Sequence, residues 1–237
     1  MKTCIVLILA LSCILQAQQS QNSRQYPKQI TLGDAPSQST PGPVAQSATN
    51  TNAPATASGR GPFGFDRGMS RAEIIKIVGR EAVKESNGND VLDLTAAPKS
   101  HPDFEEYLLK ISPSSGLLKV IAVSKDIETD DYGIEVQDSF HRIESAISAK
   151  YGEPKDRFDR HLGDLFEKQS QWMMALLEKN RVLSTYWFPN PPINGVAAIA
   201  LEAKALDSKK AYVTVGFEFV GWHDYVEAKK AGSDATF

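Results

Sequence analysis

Apart from an apolar run at residues 4–15, the large apolar side chains of this 237-residue chain lie almost entirely within residues 61–237. Any hydrophobic core must therefore form there. Residues 18–60 are different, because 35 of these 43 are Gln, Asn, Ser, Thr, Pro, Gly or Ala. Such a segment buries too little apolar surface to offset an ordering cost of about 1–2 kcal/mol per residue. The sequence predicts a disordered polar, proline-rich tether over 18–60 and one α+β domain over 61–237.

The first seventeen residues have the three parts of a secretory signal. Lys2 provides a basic start, residues 4–15 form the apolar run, and Ala17 is the small residue after which a signal peptidase would cut. The run is shorter than the stretch of about 20 residues that a helix needs to cross a bilayer. We therefore predict a signal peptide over 1–17, no transmembrane span, and a protein that is secreted or periplasmic after cleavage near Ala17.

Cys13 allows a second interpretation of this leader. Residues 9–13 (Leu-Ala-Leu-Ser-Cys) resemble a bacterial lipobox, in which the chain is cut before the cysteine and lipidated on it. Against this, Ala10 stands where a larger aliphatic residue is usual, and the apolar run continues through Leu15. Cleavage near Ala17 is the preferred interpretation, and a lipoprotein anchored through Cys13 is the alternative.

Charge and cysteine content narrow the classes of function. Once residues 1–17 are removed, the chain has 25 basic and 29 acidic residues and no cysteine, so it must fold without disulfides. A mildly acidic chain is a poor binder of nucleic acid, because phosphate contacts need clustered Lys and Arg. We expect no nucleic-acid partner, and the sequence does not indicate an oligomeric state.

Hydrophobic periodicity predicts runs of neighbouring strands separated by helices. The expected elements are a helix that ends at Gly79, strands over 91–95, 104–111 and 117–125, helices over 140–151 and 165–177, strands over 182–188, 196–205 and 212–220, and a short helical tail over 222–230. Successive strands favour an antiparallel sheet with helices packed on one face, which is an α+β fold. The region 61–237 is either one unit or two tandem halves, 61–130 and 131–237, each a helix plus three strands.

The start of the first helix carries a family resemblance. Residues 68–74 (Gly-Met-Ser-Arg-Ala-Glu-Ile) contain a capping box at Ser70 and Glu73. Together with Val78-Gly79 they resemble the opening motif of SmpA/BamE-like envelope domains. Residues 151–154 (Tyr-Gly-Glu-Pro) resemble the same helix end in a second copy, as in β-lactamase inhibitor protein, where two such halves form one concave sheet. The resemblance implies an antiparallel sheet, protein–protein binding outside the cytoplasm and no catalysis.

A search for catalytic and cofactor motifs finds no nucleophile elbow, zinc-protease signature, phosphate loop or dinucleotide fingerprint. We predict no catalytic, cofactor-binding or metal-binding residue. A hydrolase that uses Asp103, Glu105 and Glu106 is an alternative, but Glu105 and Glu106 point to opposite faces of their strand. Whether the chain is an enzyme stays uncertain, with the binding function preferred.

Acidic residues recur between Asp126 and Asp138, just before a predicted helix. Negative charge is favourable at a helix start, so an acidic loop explains them. Loose calcium binding is the alternative, since calcium takes six to eight oxygen ligands. The run does not match the calcium-binding loop of an EF-hand, because Asp131 occupies the position of the glycine and Gln137 that of the bidentate glutamate.

Aromatic and proline residues after two strands give the remaining candidates for interaction. These are Trp187, Phe188, Pro191, Trp222 and Tyr225. In the alternative interpretation, Trp187 and Trp222 close the ends of the sheet. We predict a non-catalytic protein-binding module whose partner is another extracytoplasmic protein. Binding of carbohydrate or cell wall through Trp222 and Tyr225 and an unrecognised hydrolase activity are the alternatives.

Overall fold

A computed structural model describes residues 60–84, 88 and 90–234, without the side chains of residues 232–234. The predicted signal peptide over 1–17 lies outside the described residues. So does the predicted tether over 18–60, except for Arg60. Both stay predictions.

Within the described residues the chain forms four α-helices and eight strands. The helices are α1 (Arg71–Val78), α2 (Ile134–Tyr151), α3 (Trp172–Leu177) and α4 (Trp222–Asp234). The strands are β1 (Val91–Leu94), β2 (Phe104–Ser112), β3 (Gly116–Ser124), β4 (Ile127–Glu128), β5 (Asp156–His161), β6 (Arg181–Trp187), β7 (Val196–Ala205) and β8 (Lys210–Phe219).

All the strands belong to one antiparallel sheet of order β1-β2-β3-β8-β7-β6-β5, and the short β4 pairs with β8. The β3–β8 pair joins the two halves of the chain, with Val120 opposite Phe217. The α+β prediction is therefore confirmed, and the two predicted halves contribute to a single sheet.

The second predicted half has four strands where a helix plus three strands was expected. The additional strand is β5, the edge strand that pairs with β6. Its sequence, Asp-Arg-Phe-Asp-Arg-His, has one large apolar residue, so it lacks the alternation that identifies a half-buried strand. Charged side chains are common on edge strands because they discourage pairing with other chains.

The predicted long helix over 165–177 is shorter in the structure. Helix α3 begins only at Trp172, after a 3₁₀ turn over Gln169–Gln171, and Leu165 is exposed. The side chains of Trp172, Met173 and Leu176 are buried in the core, and these contacts fix where the helix lies. Packing with the rest of the fold thus overrides the longer helical pattern.

Helix α1 begins and ends as its sequence predicts. The hydroxyl of Ser70 accepts a hydrogen bond from the backbone N–H of Glu73, and the Glu73 carboxylate accepts one from the N–H of Ser70 at 2.7 Å. The helix ends at Gly79, whose N–H donates to the Ile75 carbonyl. Hydrogen bonding of the Glu73 carboxylate to the backbone N–H of Ser70, and then to the Ser70 side chain, lowers the pKa of that carboxyl, because both favour its charged form.

The hydrophobic core lies between one face of the sheet and helices α1, α2 and α3. On β8 the core side carries Val213, Val215, Phe217 and Phe219, as the alternation of this strand predicts. Phe63, which precedes α1, packs edge-on against Phe104, Tyr107 and Phe217 with ring centroids 5.0–5.8 Å apart. We call the opposite side of the sheet the second face.

No helix among residues 60–84, 88 and 90–234 is both long and apolar enough to pass through a membrane.

Candidate functional site

A row of mostly apolar residues crosses the middle of the second face. Leu108, Ile121, Gly216, Ala200 and Tyr186 lie opposite one another on β2, β3, β8, β7 and β6. Leu108, Ile121 and Tyr186 are only 5%, 4% and 3% exposed. An antiparallel sheet with one solvated face usually carries polar residues there. This row is instead mostly apolar and buried, as in strands that are covered on both faces.

A polar row lies beside it and is equally buried. Thr214, Glu202 and Ser184 are adjacent on β8, β7 and β6, and each is 2–3% exposed. Within the described part of the chain, the hydroxyl oxygens of Ser184 and Thr214 have no hydrogen-bond partner. An unsatisfied buried polar group costs about 1–3 kcal/mol. A group that brought hydrogen bonds to this row would remove that cost.

The Glu202 carboxylate is held by its neighbours on the second face. Tyr186 donates its hydroxyl hydrogen to Glu202 Oε1 at 3.2 Å, and Lys204 Nζ lies 2.6 Å from Oε2. Burial, followed by the nearby Glu202 charge, raises the pKa of the Tyr186 phenol. Tyr186 therefore stays protonated at neutral pH and keeps its role as a donor.

Helix α4 contacts one corner of the second face. Its Trp222 ring lies 5.0 Å from Lys119 Nζ, and Lys119, although buried, pairs with Glu218 at 2.7 Å. Farther along the helix, Lys229 forms an ion pair with Asp90. In the described residues, these contacts of α4 lie at Lys119 and Asp90, where Tyr225 also reaches Asp90.

Two carboxyl groups meet at another corner of the second face. Asp93 on β1 is half-buried beside Glu106 on β2, and Lys84 Nζ lies 2.9 Å from Glu106 Oε1. Burial of Asp93, together with the Glu106 charge, raises the pKa of Asp93 to about 6. The Asp93 carboxyl is thus protonated in mildly acidic solution and ionised at neutral pH.

This pKa predicts a pH-dependent stability. Between pH 3.8, the ordinary pKa, and about 6, the folded chain holds a proton that the unfolded chain has lost, so stability falls as the pH rises. After allowance for solvent screening, we expect the free energy of unfolding to fall by about 1–2 kcal/mol across this window.

Urea unfolding at pH 4.5 and 7.5 measures this difference in the free energy of unfolding. Asp93→Asn should reduce the difference between the two pH values, and Asp138→Asn, at an exposed site on α2, should not. Equal differences in Asp93→Asn and the parent would contradict the assignment.

A cleft of about 540 Å³, lined mainly by polar and charged residues, lies between the ends of β2 and β3 and the first turns of α2. It brings Asp103 close to Glu135 and Asp138 of the acidic run, together with Lys125 and Arg142. Arg142 pairs with Asp103, and Thr129 donates to Glu135 at 2.6 Å, which lowers the pKa of the Glu135 carboxyl. The carboxylates of the cleft are therefore engaged largely in contacts within the fold.

Most of the remaining acidic residues of the run are paired with basic residues of the β7–β8 hairpin. Lys210 Nζ lies 3.1 Å from Glu128 and 3.8 Å from Asp126, and Lys209 Nζ lies 2.8 Å from Asp131. Among the described residues, no group of three or more His, Cys, Asp or Glu side chains has the arrangement of a metal site. The ion pairs account for these charges as part of a structural loop.

The three carboxylates of the hydrolase alternative do not come together. Asp103 pairs with Arg142 at the cleft, whereas Glu106 pairs with Lys84 on the second face. Glu105 is exposed at an irregularity in the β2–β3 pairing. The structure instead pairs Glu106 with Asp93, a contact between strands that spacing along one strand does not reveal.

The predicted interaction residues occupy different environments. Trp187 is 1% exposed and belongs to the core, whereas its neighbour Phe188 is 37% exposed and lies 5.6 Å from Lys155 Nζ. Pro191 is exposed in the following loop. Trp222 and Tyr225 are half-buried on α4, with ring centroids 5.8 Å apart. Trp187 thus fits the alternative interpretation as a residue that closes the sheet end.

The second face was not among the predicted sites, although the sequence contains a signal for it. The β3 segment 117–123 reads Leu-Leu-Lys-Val-Ile-Ala-Val, an almost continuous apolar run. A strand buried on one side alternates, whereas a continuous run indicates burial on both sides. The run predicts a strand, and its continuity is the signal that this strand is also covered on its second face.

Comparison with protein-family models, with curated proteins and with solved structures finds no match.

Proposed function

We propose that this chain is a non-catalytic protein-binding module that acts outside the cytoplasm and binds its partner through the second face. The location rests on the secretory leader of residues 1–17. The binding role rests on the apolar row through Leu108, Ile121 and Tyr186, which is the single observation that carries the proposal.

The composition of this surface fits a protein partner. Interface cores are depleted in charged residues and enriched in aromatic ones, with Tyr prominent among them. The second face carries Tyr186 and Tyr212, and its charges at Lys204, Glu202 and Lys119 are already in ion pairs. A partner can therefore bury this face without leaving those charges unpaired.

The element order is also compatible with the SmpA/BamE resemblance. A capped helix, α1, precedes β1–β3, and a second helix, α2, precedes the strands that complete the sheet. We propose on this basis that the two halves, 61–130 and 131–237, are tandem units of that kind. The proposal is consistent with a binding role and adds no catalytic residue.

The test compares one substitution at two alanines. Ala200 lies in the apolar row of the second face, whereas Ala146 is exposed on α2. The parent chain is cross-linked in native envelope and culture fluid, its main protein partner is purified, and Kd is measured for the parent, Ala200→Glu and Ala146→Glu. We expect at least a tenfold weaker Kd for Ala200→Glu, because a carboxylate would be buried without a partner, and an unchanged Kd for Ala146→Glu.

Circular dichroism and thermal melting of both variants establish that they are folded. Recovery of no specific protein, or equal loss of binding in the two variants, would overturn the proposed function. If the folded parent instead binds insoluble peptidoglycan, and Trp222→Ala abolishes that binding, the carbohydrate-binding alternative is correct.

A further inference from the structure

Three lysine side chains lie at the corner of the second face that α4 contacts. Lys110 on β2 is directly opposite Lys119 on β3, so both side chains point to this face. Helix α4 brings Lys229 to the same corner through its ion pair with Asp90. We call Lys110, Lys119 and Lys229 the lysine cluster. Like charges opposite each other on neighbouring strands are destabilising, so the ammonium groups of this cluster repel one another.

Two carboxylates at this corner each pair with one member of the cluster. Glu218 lies 2.7 Å from Lys119 Nζ, and Asp90 pairs with Lys229. Within the described residues, the Lys110 ammonium forms no ion pair or hydrogen bond. Of the three lysines, Lys110 is therefore the one whose charge no described carboxylate matches.

Asp90 is close to Lys110 but its carboxylate is held by α4. The Asp90 carbonyl accepts a hydrogen bond from the N–H of Ile111 at 2.9 Å, which places it beside the last part of β2. Its carboxylate accepts the Tyr225 hydroxyl at 3.5 Å in addition to the Lys229 ammonium. Helix α4 thus engages the carboxylate that lies nearest to Lys110 in sequence and in the sheet.

The surroundings of Lys110 disfavour its charged form. The side chain is half-buried, and this burial, followed by the charges of Lys229 and Lys119, lowers the pKa of Lys110. A larger fraction of this lysine is therefore the neutral amine at neutral pH, and the neutral amine is the nucleophile. Lysines that react with carbonyl compounds are activated in this way, by loss of water or by a neighbouring cationic group.

We propose that Lys110 is a reactive amine that forms an imine with a small carbonyl compound carrying a carboxylate. The amine nitrogen attacks the carbonyl carbon, a C=N bond replaces the C=O bond, and the carbonyl oxygen leaves as water with the two amine protons. The step needs no oxidant or reductant. Protonation of the imine restores a positive charge beside Lys119 and Lys229, and the carboxylate of the substrate offsets that charge.

Reductive trapping of the imine measures this reactivity. The full chain is treated at pH 7 with glyoxylate, an aldehyde that carries a carboxylate, or with glycolaldehyde, which carries none. Cyanoborohydride reduces the imine, and peptide mass spectrometry gives the extent of modification at each lysine. Lys125, which is exposed at the cleft beside α2, is the internal reference. The ratio of Lys110 to Lys125 within one reagent removes the difference in reactivity between the two aldehydes.

We expect this ratio to be about fivefold or more in the folded chain, to be higher with glyoxylate than with glycolaldehyde, and to approach one in urea. A ratio of one or less in the folded chain would overturn the proposal. Equal ratios for the two aldehydes would overturn the assignment of a substrate with a carboxylate.

A substitution on α4 distinguishes a reactive lysine from one that is only accessible. Lys229→Gln removes a cationic neighbour and releases Asp90 to pair with Lys110, so the ratio should fall severalfold. Lys76→Gln, at an exposed position of α1, should leave it unchanged. Circular dichroism establishes that both variants are folded. An unchanged ratio in Lys229→Gln would overturn the proposal, and no protein partner is needed, so this outcome is independent of the proposed function.

Discussion

Replacement of Trp187 by alanine is expected to lower the free energy of unfolding by about 3–5 kcal/mol. The indole is 1% exposed at the end of β6 and packs within the core, so its loss leaves a large cavity. The adjacent Phe188 provides the matched control, because it is 37% exposed. We expect Phe188→Ala to cost less than about 1 kcal/mol, since little buried surface is lost.

Urea unfolding of the parent and of both variants measures these differences. The comparison also distinguishes the two roles that the sequence allows for Trp187 and Phe188, which are packing in the core and contact with a partner. A large loss of stability in Trp187→Ala identifies a core residue, whereas a change in partner affinity without loss of stability in Phe188→Ala would identify a contact residue. Equal stability losses in the two variants would contradict the structural assignment.

Replacement of Gly116 by alanine should cause a comparable loss of stability. Gly116 begins β3 with φ +68°, and a Cβ atom there would overlap the backbone carbonyl of Gly68. The two segments are fixed against each other, because the N–H of Gly68 donates to the Leu117 carbonyl and the N–H of Leu117 donates to the Met69 carbonyl, both at 2.9 Å. We expect about 3 kcal/mol or more, from backbone strain and the steric overlap together.

Gly68 is the control for this prediction. It also has a positive φ, +81°, but a Cβ atom there would come no nearer than 3.7 Å to the carbonyl oxygen of Ser115. Gly68→Ala should therefore show the conformational cost alone, about 1 kcal/mol. Thermal and urea unfolding of both variants measure the difference. If Gly68→Ala lowered the stability more than Gly116→Ala, that result would contradict the close contact between residues 68–69 and the start of β3.

The fold class could be predicted because its signals are local. The alternation of apolar residues in β8 and the capping box at Ser70 each depend on a few neighbouring residues. Strand β5 and the true start of α3 could not be predicted in this way. Their positions depend on pairing with β6 and on burial of Trp172 in the core, which are contacts between distant parts of the chain.

The candidate site was harder to predict for the same reason. Ile121, Ala200 and Tyr186 become one surface only once β3, β8, β7 and β6 are aligned in register. The pairing of Asp93 with Glu106 likewise requires β1 beside β2. In contrast, Trp187 lies next to Phe188 and a proline-rich loop in the sequence, and residue type alone does not reveal that its side chain is buried.

The position of β8 has a consequence for how the chain is made. This strand lies at the centre of the sheet, between β3 and β7, yet it is synthesised after the seven other strands of the described residues. Its pairing with β3 joins residues as far apart as Lys119 and Glu218, 99 positions along the chain. Contacts between such distant residues form slowly. We therefore expect a nascent chain that ends before Lys210 to lack the continuous sheet, so that the sheet is completed only after β8 has left the ribosome.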